Sequence, residues 1–372
     1  MRPKLKSAVW YREGEDLSVI CNDQETQITL ADPDGHVETL LGLLREGTRD
    51  EVGLTAALAA RPQPPSEAEV TDAIAALDEI GLLIDADEPV VLSAAEAERF
   101  VSNVAFFTTF ASLDQSASSF QRTLLDAHVV FLGTGGLGST AIQALSGAGV
   151  GRMTLLDSDV VETRNFARQY LYREADIGQP KVDRAAAWVR AFNGAANVRP
   201  VSRWISGPGD IADLLADADF VVDGVDQGAD IDVWVNEACV AAGVPYVRGG
   251  FAARQALYFS VDPGRSACLM CHRIAQRATR SDRGPIDKLL SGRERVNRGI
   301  GPVASMVGSL VAMEALRYLT GFAPPVAAGG VRCVDLATGE EEATYWQRMP
   351  DCPVCKDVAP AGREPAGRRS RG

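Results

Sequence analysis

Two patterns of apolar residues divide the chain. From 7 to 31, SAVWYREGEDLSVICNDQETQITLA, short runs rich in Val, Ile, Trp, Tyr and Thr are punctuated by REGED and NDQET, which predicts a small antiparallel meander. Apolar positions then recur at helical spacing in HVETLLGLLREG, TRDEVGLTAALAA and SEAEVTDAIAALDEIGLLID, predicting three short amphipathic helices. Thr48 with Glu51 and Ser66 with Glu69 have the spacing of capping boxes at the second and third, and Val70, Ile74, Leu77 and Ile80 are the expected core face of the third. Residues 91 to 127 are helical in pattern. Thereafter strand and helix signals alternate: VVFLG, a helix from Ser139, MTLLD, a helix over KVDRAAAWVRAFN, NVRPVSRW, DFVVDGVD, a helix over WVNEACVAAG, and PYVRGGF. Such alternation predicts an α/β fold with a mostly parallel sheet, here preceded by a small α+β module of winged-helix type. The expected boundaries are 1–90 for the module, 91–128 for a helical connector or dimer element, 129–356 for the α/β domain and 357–372 for a basic, disordered tail.

Charge and composition narrow the function. A formal net charge of -13 over 372 residues opposes a broad nucleic-acid-binding or anionic-membrane face, so neither partner is expected. The N-terminal MRPKLKSAVWYREGED has no long apolar core, and no apolar run approaches the roughly 18 residues of a membrane span, which predicts a cytoplasmic protein. Four of the seven cysteines fall in two CxxC pairs, SACLMCHR and DCPVCKD. Cys268, Cys271, Cys352 and Cys355 therefore present two thiolate knuckles from distant segments, the pattern of a closed structural zinc (Zn2+) site. Cys239, in EACVAAGV, is expected in the core.

GTGGLG satisfies G-x-G-x-x-G through Gly133, Gly135 and Gly138, between an apolar strand and a helix. Glycines let backbone amides approach a phosphate, the helix N-terminus favours its charge, and Asp157 ends the next strand where a carboxylate accepts from ribose hydroxyls. The motif alone fits NAD or ATP. Its neighbours favour ATP: Asn165, Arg168 and Lys181 supply polar and cationic groups suited to a leaving pyrophosphate. Asp226, expected at the carboxyl end of the strand DFVVDGVD, stands where open α/β sheets place their ligand crevice and suits magnesium (Mg2+).

With GTGGLGS at 133–139, LLDSD at 155–159, NFARQ at 165–169, Lys181 and VDGVD at 222–226, the chain resembles the ThiF/MoeB/HesA superfamily, the Rossmann-like adenylating fold shared with ubiquitin-activating enzymes. The resemblance covers about 129–356. It implies that Gly133, Gly135, Gly136, Gly138, Asp157, Asp159, Asn165, Arg168, Gln169 and Lys181 contact ATP, that Asp226 holds magnesium, and that Arg168, Lys181 and Asp226 act in catalysis. The family's R-Y-x-R-Q, whose second arginine reaches the partner subunit's phosphates, is replaced by Arg99 and FVSN, with Ser102 at that arginine's place.

The first ninety residues resemble the precursor-peptide recognition element of ribosomal-peptide maturation enzymes, in which a leader segment adds as a strand. The combined resemblance, to the MccB-like group, implies a homodimer that adenylates a carboxylate on a precursor peptide carrying a leader. Two alternatives are a non-catalytic leader-binding partner of a separate modifying enzyme and an adenylyltransferase for a sulfur-carrier protein.

Overall fold

The computed structural model describes residues 1–21, 27–228, 230–252, 254–279 and 299–359. The NDQET turn at 22–26 and the tail from 360 lie outside the described residues. Two compact units divide between Arg122 and Thr123.

In the first unit, β1 (Pro3–Leu5) precedes a meander of β2 (Ala8–Glu13), β3 (Asp16–Cys21) and β4 (Gln27–Ala31), paired antiparallel in that order. Helices α1 (His36–Glu46), α2 (Glu51–Leu58) and α3 (Glu67–Glu79) follow, and β5 (Leu83–Asp85) returns to pair antiparallel with β1. Their apolar faces meet in one core that includes Leu17, Val19, Leu41, Leu44, Leu54 and Leu83. The connector folds as three short helices, α4 (Ala94–Arg99), α5 (Val101–Thr108) and α6 (Ala117–Asp126).

Two local expectations of this unit are corrected. Helix α2 is capped by Asp50, whose side chain accepts from Gly53 N, and not by Thr48; the charged acceptor starts the helix two residues later. The box at Ser66 and Glu69 forms as expected, and Val70, Ile74 and Leu77 are buried. Ile80 is 43 % exposed, because α3 ends at Glu79 and Ile80 sits at its C-cap, rotated off the stripe.

The second unit is built on an eight-stranded sheet. Strands β6 (His128–Leu132), β7 (Arg152–Leu156), β8 (Asn197–Val201), β9 (Phe220–Asp223) and β10 (Tyr246–Ala252) run parallel in the spatial order β8-β7-β6-β9-β10. Antiparallel β11 (Gln255–Val261), β12 (Gly330–Asp335) and β13 (Glu341–Tyr345) extend the β10 edge. The chain progresses outward from β6 in one direction and then, from β9, in the other, so β6 and β9 flank the topological switch point, where such sheets place ligands.

The connecting helices are α7 (Gly136–Ala148), α8 (Lys181–Phe192), α9 (Gly209–Leu215) and α10 (Ile231–Ala242), followed by α11 (Leu269–Thr279) and the long α12 (Gly301–Thr320). Helix α7 starts at Gly136, three residues before the expected Ser139, because Gly135 takes the extended N-cap conformation. Strand β9 stops at Asp223, three residues before Asp226, because Val225 N turns back to donate to Asp223 Oδ1. In α12 the buried Glu314 accepts from Ser260 Oγ and from the amides of Val326 and Ala327, fastening the helix to β11 and to the segment before β12. No helix among the described residues is long and apolar enough to cross a membrane.

The burial difference along α3 gives a direct check. Urea denaturation of Ile74→Ala should show a loss of about 2–5 kcal/mol, and Ile80→Ala should cost less than about 1 kcal/mol.

Candidate functional site

The turn after β6 is held by contacts that only glycine permits. Gly133 has φ +88°, and a Cβ there would lie 2.9 Å from the backbone carbon and oxygen of Gly224, in the loop after β9. A Cβ on Gly138 would meet Gly133 O at 2.1 Å. The loops following β6 and β9 thus touch through backbone, and Gly224 N donates to Leu132 O at 2.8 Å. Gly135 caps α7 with no side-chain hydrogen bond, so the helix's positive end faces the crevice with its first amides uncapped by a side chain.

Around this turn the structure sorts the sequence-predicted residues. Arg168 runs alongside it, its Cγ and Cδ 3.2 and 3.3 Å from where a Cβ of Gly136 would be, and it makes no ion pair with another described residue. Gln169 is buried; its Nε2 lies 3.7 Å from a Cβ position at Gly135, and its Oε1 has no partner among the described residues. A buried, unpaired amide oxygen is costly in a finished core, and this one lies beside the glycine turn.

Asp157 and its neighbours brace the turn. Asp157 Oδ2 accepts from Thr134 N at 2.8 Å and Thr134 Oγ1 at 2.9 Å, and Oδ1 accepts from Asp159 N at 2.9 Å. Tyr172 donates its hydroxyl to Thr134 O at 2.7 Å, and burial pushes its phenol well up. Lys181, buried at the start of α8, reaches Asp159 Oδ2 at 2.8 Å. Asn165 uses its Oδ1 to accept from Glu162 N, shaping the short 3-10 turn Thr163–Asn165, and its carbonyl accepts from the amides of Arg168 and Gln169 just beyond. Asp226 is exposed and has no hydrogen-bond or ion-pair partner among the described residues. Gln227 beside it bridges Ser158 Oγ and Ile205 N, joining the loops after β7 and β8.

A second group was not read from the sequence. Asp223 is fully buried, and its Oδ1 accepts from Arg248 Nη1 at 3.0 Å; Arg248 Nη2 lies 2.9 Å from Asp232 Oδ1 in the first turn of α10. Burial lifts the Asp223 carboxyl to about 6 against the pull of Arg248, whose own pKa is raised by Asp223, Asp232 and Asp226. Arg248 is the fixed charge of the pair and Asp223 the group that titrates. The available signal was a charged residue inside each of two apolar strand runs, DFVVD and PYVRGG.

The four CxxC cysteines converge from the start of α11 and the segment after β13. All are buried, their ligand atoms lie within 4.8 Å of one another, and three Sγ separations are 3.4, 3.7 and 3.9 Å. Tetrahedral zinc at about 2.3 Å per thiolate requires sulfurs about 3.8 Å apart, so the set fits such an ion. Met349 N donates to Cys271 Sγ at 3.3 Å. Cys239 is buried, as expected of a core residue, with its thiol pushed up by burial.

Replacing Asp223 isolates its titration. Its folded pKa lies above that of the unfolded chain, so its contribution to stability is full below about pH 4 and is lost as pH rises through about 6. Asp223→Asn should therefore gain stability relative to the native protein between pH 4 and 6, by roughly 2–3 kcal/mol, and stay level above pH 7 in denaturant titrations.

The family model described as "ThiF family" matches residues 108–354. The molybdopterin-synthase adenylyltransferase of Escherichia coli K12 is 34% identical over 241 residues, covering 63% of this chain and 89% of that protein. The sulfur carrier protein ThiS adenylyltransferase of the same organism is 31% identical over 246 residues, covering 65% and 91%. The structure of E. coli MccB with AMPCPP and MccA superposes with a TM-score of 0.73 at 20% identity, covering 95% of this chain and 100% of that one. The chain belongs to the ThiF family and is an adenylyltransferase.

Proposed function

We propose that the chain uses ATP to adenylate a carboxylate on a ribosomally made precursor peptide, which its N-terminal unit binds through a leader segment. The observation that carries the peptide reading is coverage. The similarity to the molybdopterin-synthase enzyme spans 63% of the chain, whereas the fold likeness to MccB, solved with MccA, spans 95% and takes in the first unit as well. That unit offers strand edges: among the described residues β2 and β4 each pair only with β3. An extended leader can add to such an edge, main-chain bonds giving affinity and alternate side chains giving choice.

ATP would lie over the glycine turn with its phosphates at Gly133–Gly138 and the start of α7, Gln169 and Asn165 nearby, and its ribose toward Asp157 and Asp159. A substrate carboxylate oxygen attacks the α-phosphorus, the bond to pyrophosphate breaks, and Arg168 and Lys181 take up the charge on the departing group. Asp226, whose carboxylate is uncommitted, would hold magnesium, which supplies charge neutralisation at phosphate oxygens. The products are an acyl adenylate and pyrophosphate, and no protein nucleophile is needed. A homodimer belongs to this reading; the exposed Val101 and Phe106 of α5, with Phe110 beyond it, suit a subunit contact. The four cysteines would hold structural zinc.

The sulfur-carrier reading is favoured by the 34% identity to the molybdopterin-synthase enzyme. Pyrophosphate exchange separates the two. A precursor peptide should support exchange that Asp226→Ala lowers by about 100-fold or more; exchange only with a small protein ending in Gly-Gly would establish the second reading instead. For the cysteines, metal analysis should find about one zinc per chain, and prolonged chelation should lower Tm by several degrees. A metal-free protein of unchanged Tm would contradict the zinc assignment.

A further inference from the structure

Arg248 lies outside the nucleotide-binding set, yet it joins three segments at the switch point. The parallel register of β9 and β10 sets it opposite Asp223. Its Nη1 donates both to Asp223 Oδ1 and to the carbonyl of Val225, and its Nη2 reaches Asp232 at the head of α10. A planar guanidinium can hydrogen-bond the Asp223 carboxylate and the Val225 carbonyl while its other nitrogen pairs by charge with Asp232; an ammonium on a flexible stem cannot hold the same three in one geometry. The Val225 carbonyl it holds is adjacent in the chain to two functional points. On one side Gly224 rests against Gly133 and donates to Leu132 O; on the other is Asp226.

We propose that Arg248 is a positioning residue for adenylation: by fastening Asp223 and the Val225 carbonyl it fixes the 224–226 turn against the glycine turn and so presents the Asp226 carboxylate to the crevice. The inference rests on the adenylation reading for its catalytic consequence. Asp232 completes the fastening by anchoring the guanidinium to α10, and Arg273, 3.9 Å from the other oxygen of Asp232, gives that carboxylate a second counter-charge.

Simple charge compensation for a buried carboxylate is the competing role, and two variants of the full chain tell them apart. Arg248→Lys keeps the positive charge and loses the fork. The double variant Asp223→Asn with Arg248→Met removes both charges of the fully buried pair, leaves Asp232 its contact with Arg273, and loses the hold on Val225. Each is measured by pyrophosphate exchange, with kcat and KM for ATP separated, and by calorimetric titration of ATP with and without Mg2+. Both variants should lose about tenfold or more in kcat. Both should need several-fold more Mg2+ for half-maximal ATP binding, with metal-free ATP affinity unchanged. Exchange and Mg2+ dependence at native levels in either variant would overturn the proposal. Absence of exchange in the native protein would count against adenylation, and the calorimetric arm, which needs only ATP and Mg2+, would still decide the role of Arg248. Native protein that binds no ATP would overturn both.

Discussion

The backbone contact between Gly133 and Gly224 is the constraint on which the site depends. Parallel strands β6 and β9 are neighbours from which the chain progresses in opposite directions, and at such a switch point open α/β sheets place their ligand crevice. Neither glycine approach tolerates a side chain: at Gly133 a Cβ would press on Gly224, and at Gly138 it would overlap Gly133 O. Small residues here let the loop that opens α7 and the loop that carries the exposed Asp226 meet through backbone. The charges around that contact are arranged in two tiers. Asp157, Thr134, Tyr172, Asp159 and Lys181 tie the glycine turn to the ends of β7 and α8, while Asp223, Arg248 and Asp232 tie the opposing loop to β10 and α10.

The remainder of the second unit keeps this crevice in register. Helix α12 lies against α7 closely enough that a Cβ on Gly308 would meet Leu137 O at 2.8 Å, and buried Glu314 anchors the same helix to the antiparallel half of the sheet. The cysteine cluster closes the segment after β13 onto the start of α11. Neutral thiols bury readily, whereas four thiolates in one place need a metal to take their charge, so the same residues can form a core patch or a ligand set.

Much of this was legible in the sequence wherever the signal is local. Alternating strand and helix periods located β6 to β10, the glycine spacing located the turn, and the two CxxC pairs located a cluster whose halves lie 84 residues apart. Boundaries failed where one side chain decides them: Asp50 displaced the expected cap at Thr48, Gly135 moved the start of α7, and Asp223 ended β9 early. Strand order carries no periodic signature, so the antiparallel extension β11 to β13 could not be read. Nor could the partnership of Arg248 with Asp223, 25 residues apart, because it arises from the pairing of β9 with β10. The roles expected for Asp157 and Lys181 were read from position alone; in the structure Asp157 is engaged with Thr134 and Lys181 with Asp159.

A crystal structure with ATP and Mg2+ tests the central claim most directly. The phosphates should lie along the turn from Gly133 to Gly138 with the metal on Asp226 and the Gly133–Gly224 contact intact. NAD density in that crevice, or ATP bound elsewhere with the two loops drawn apart, would contradict it.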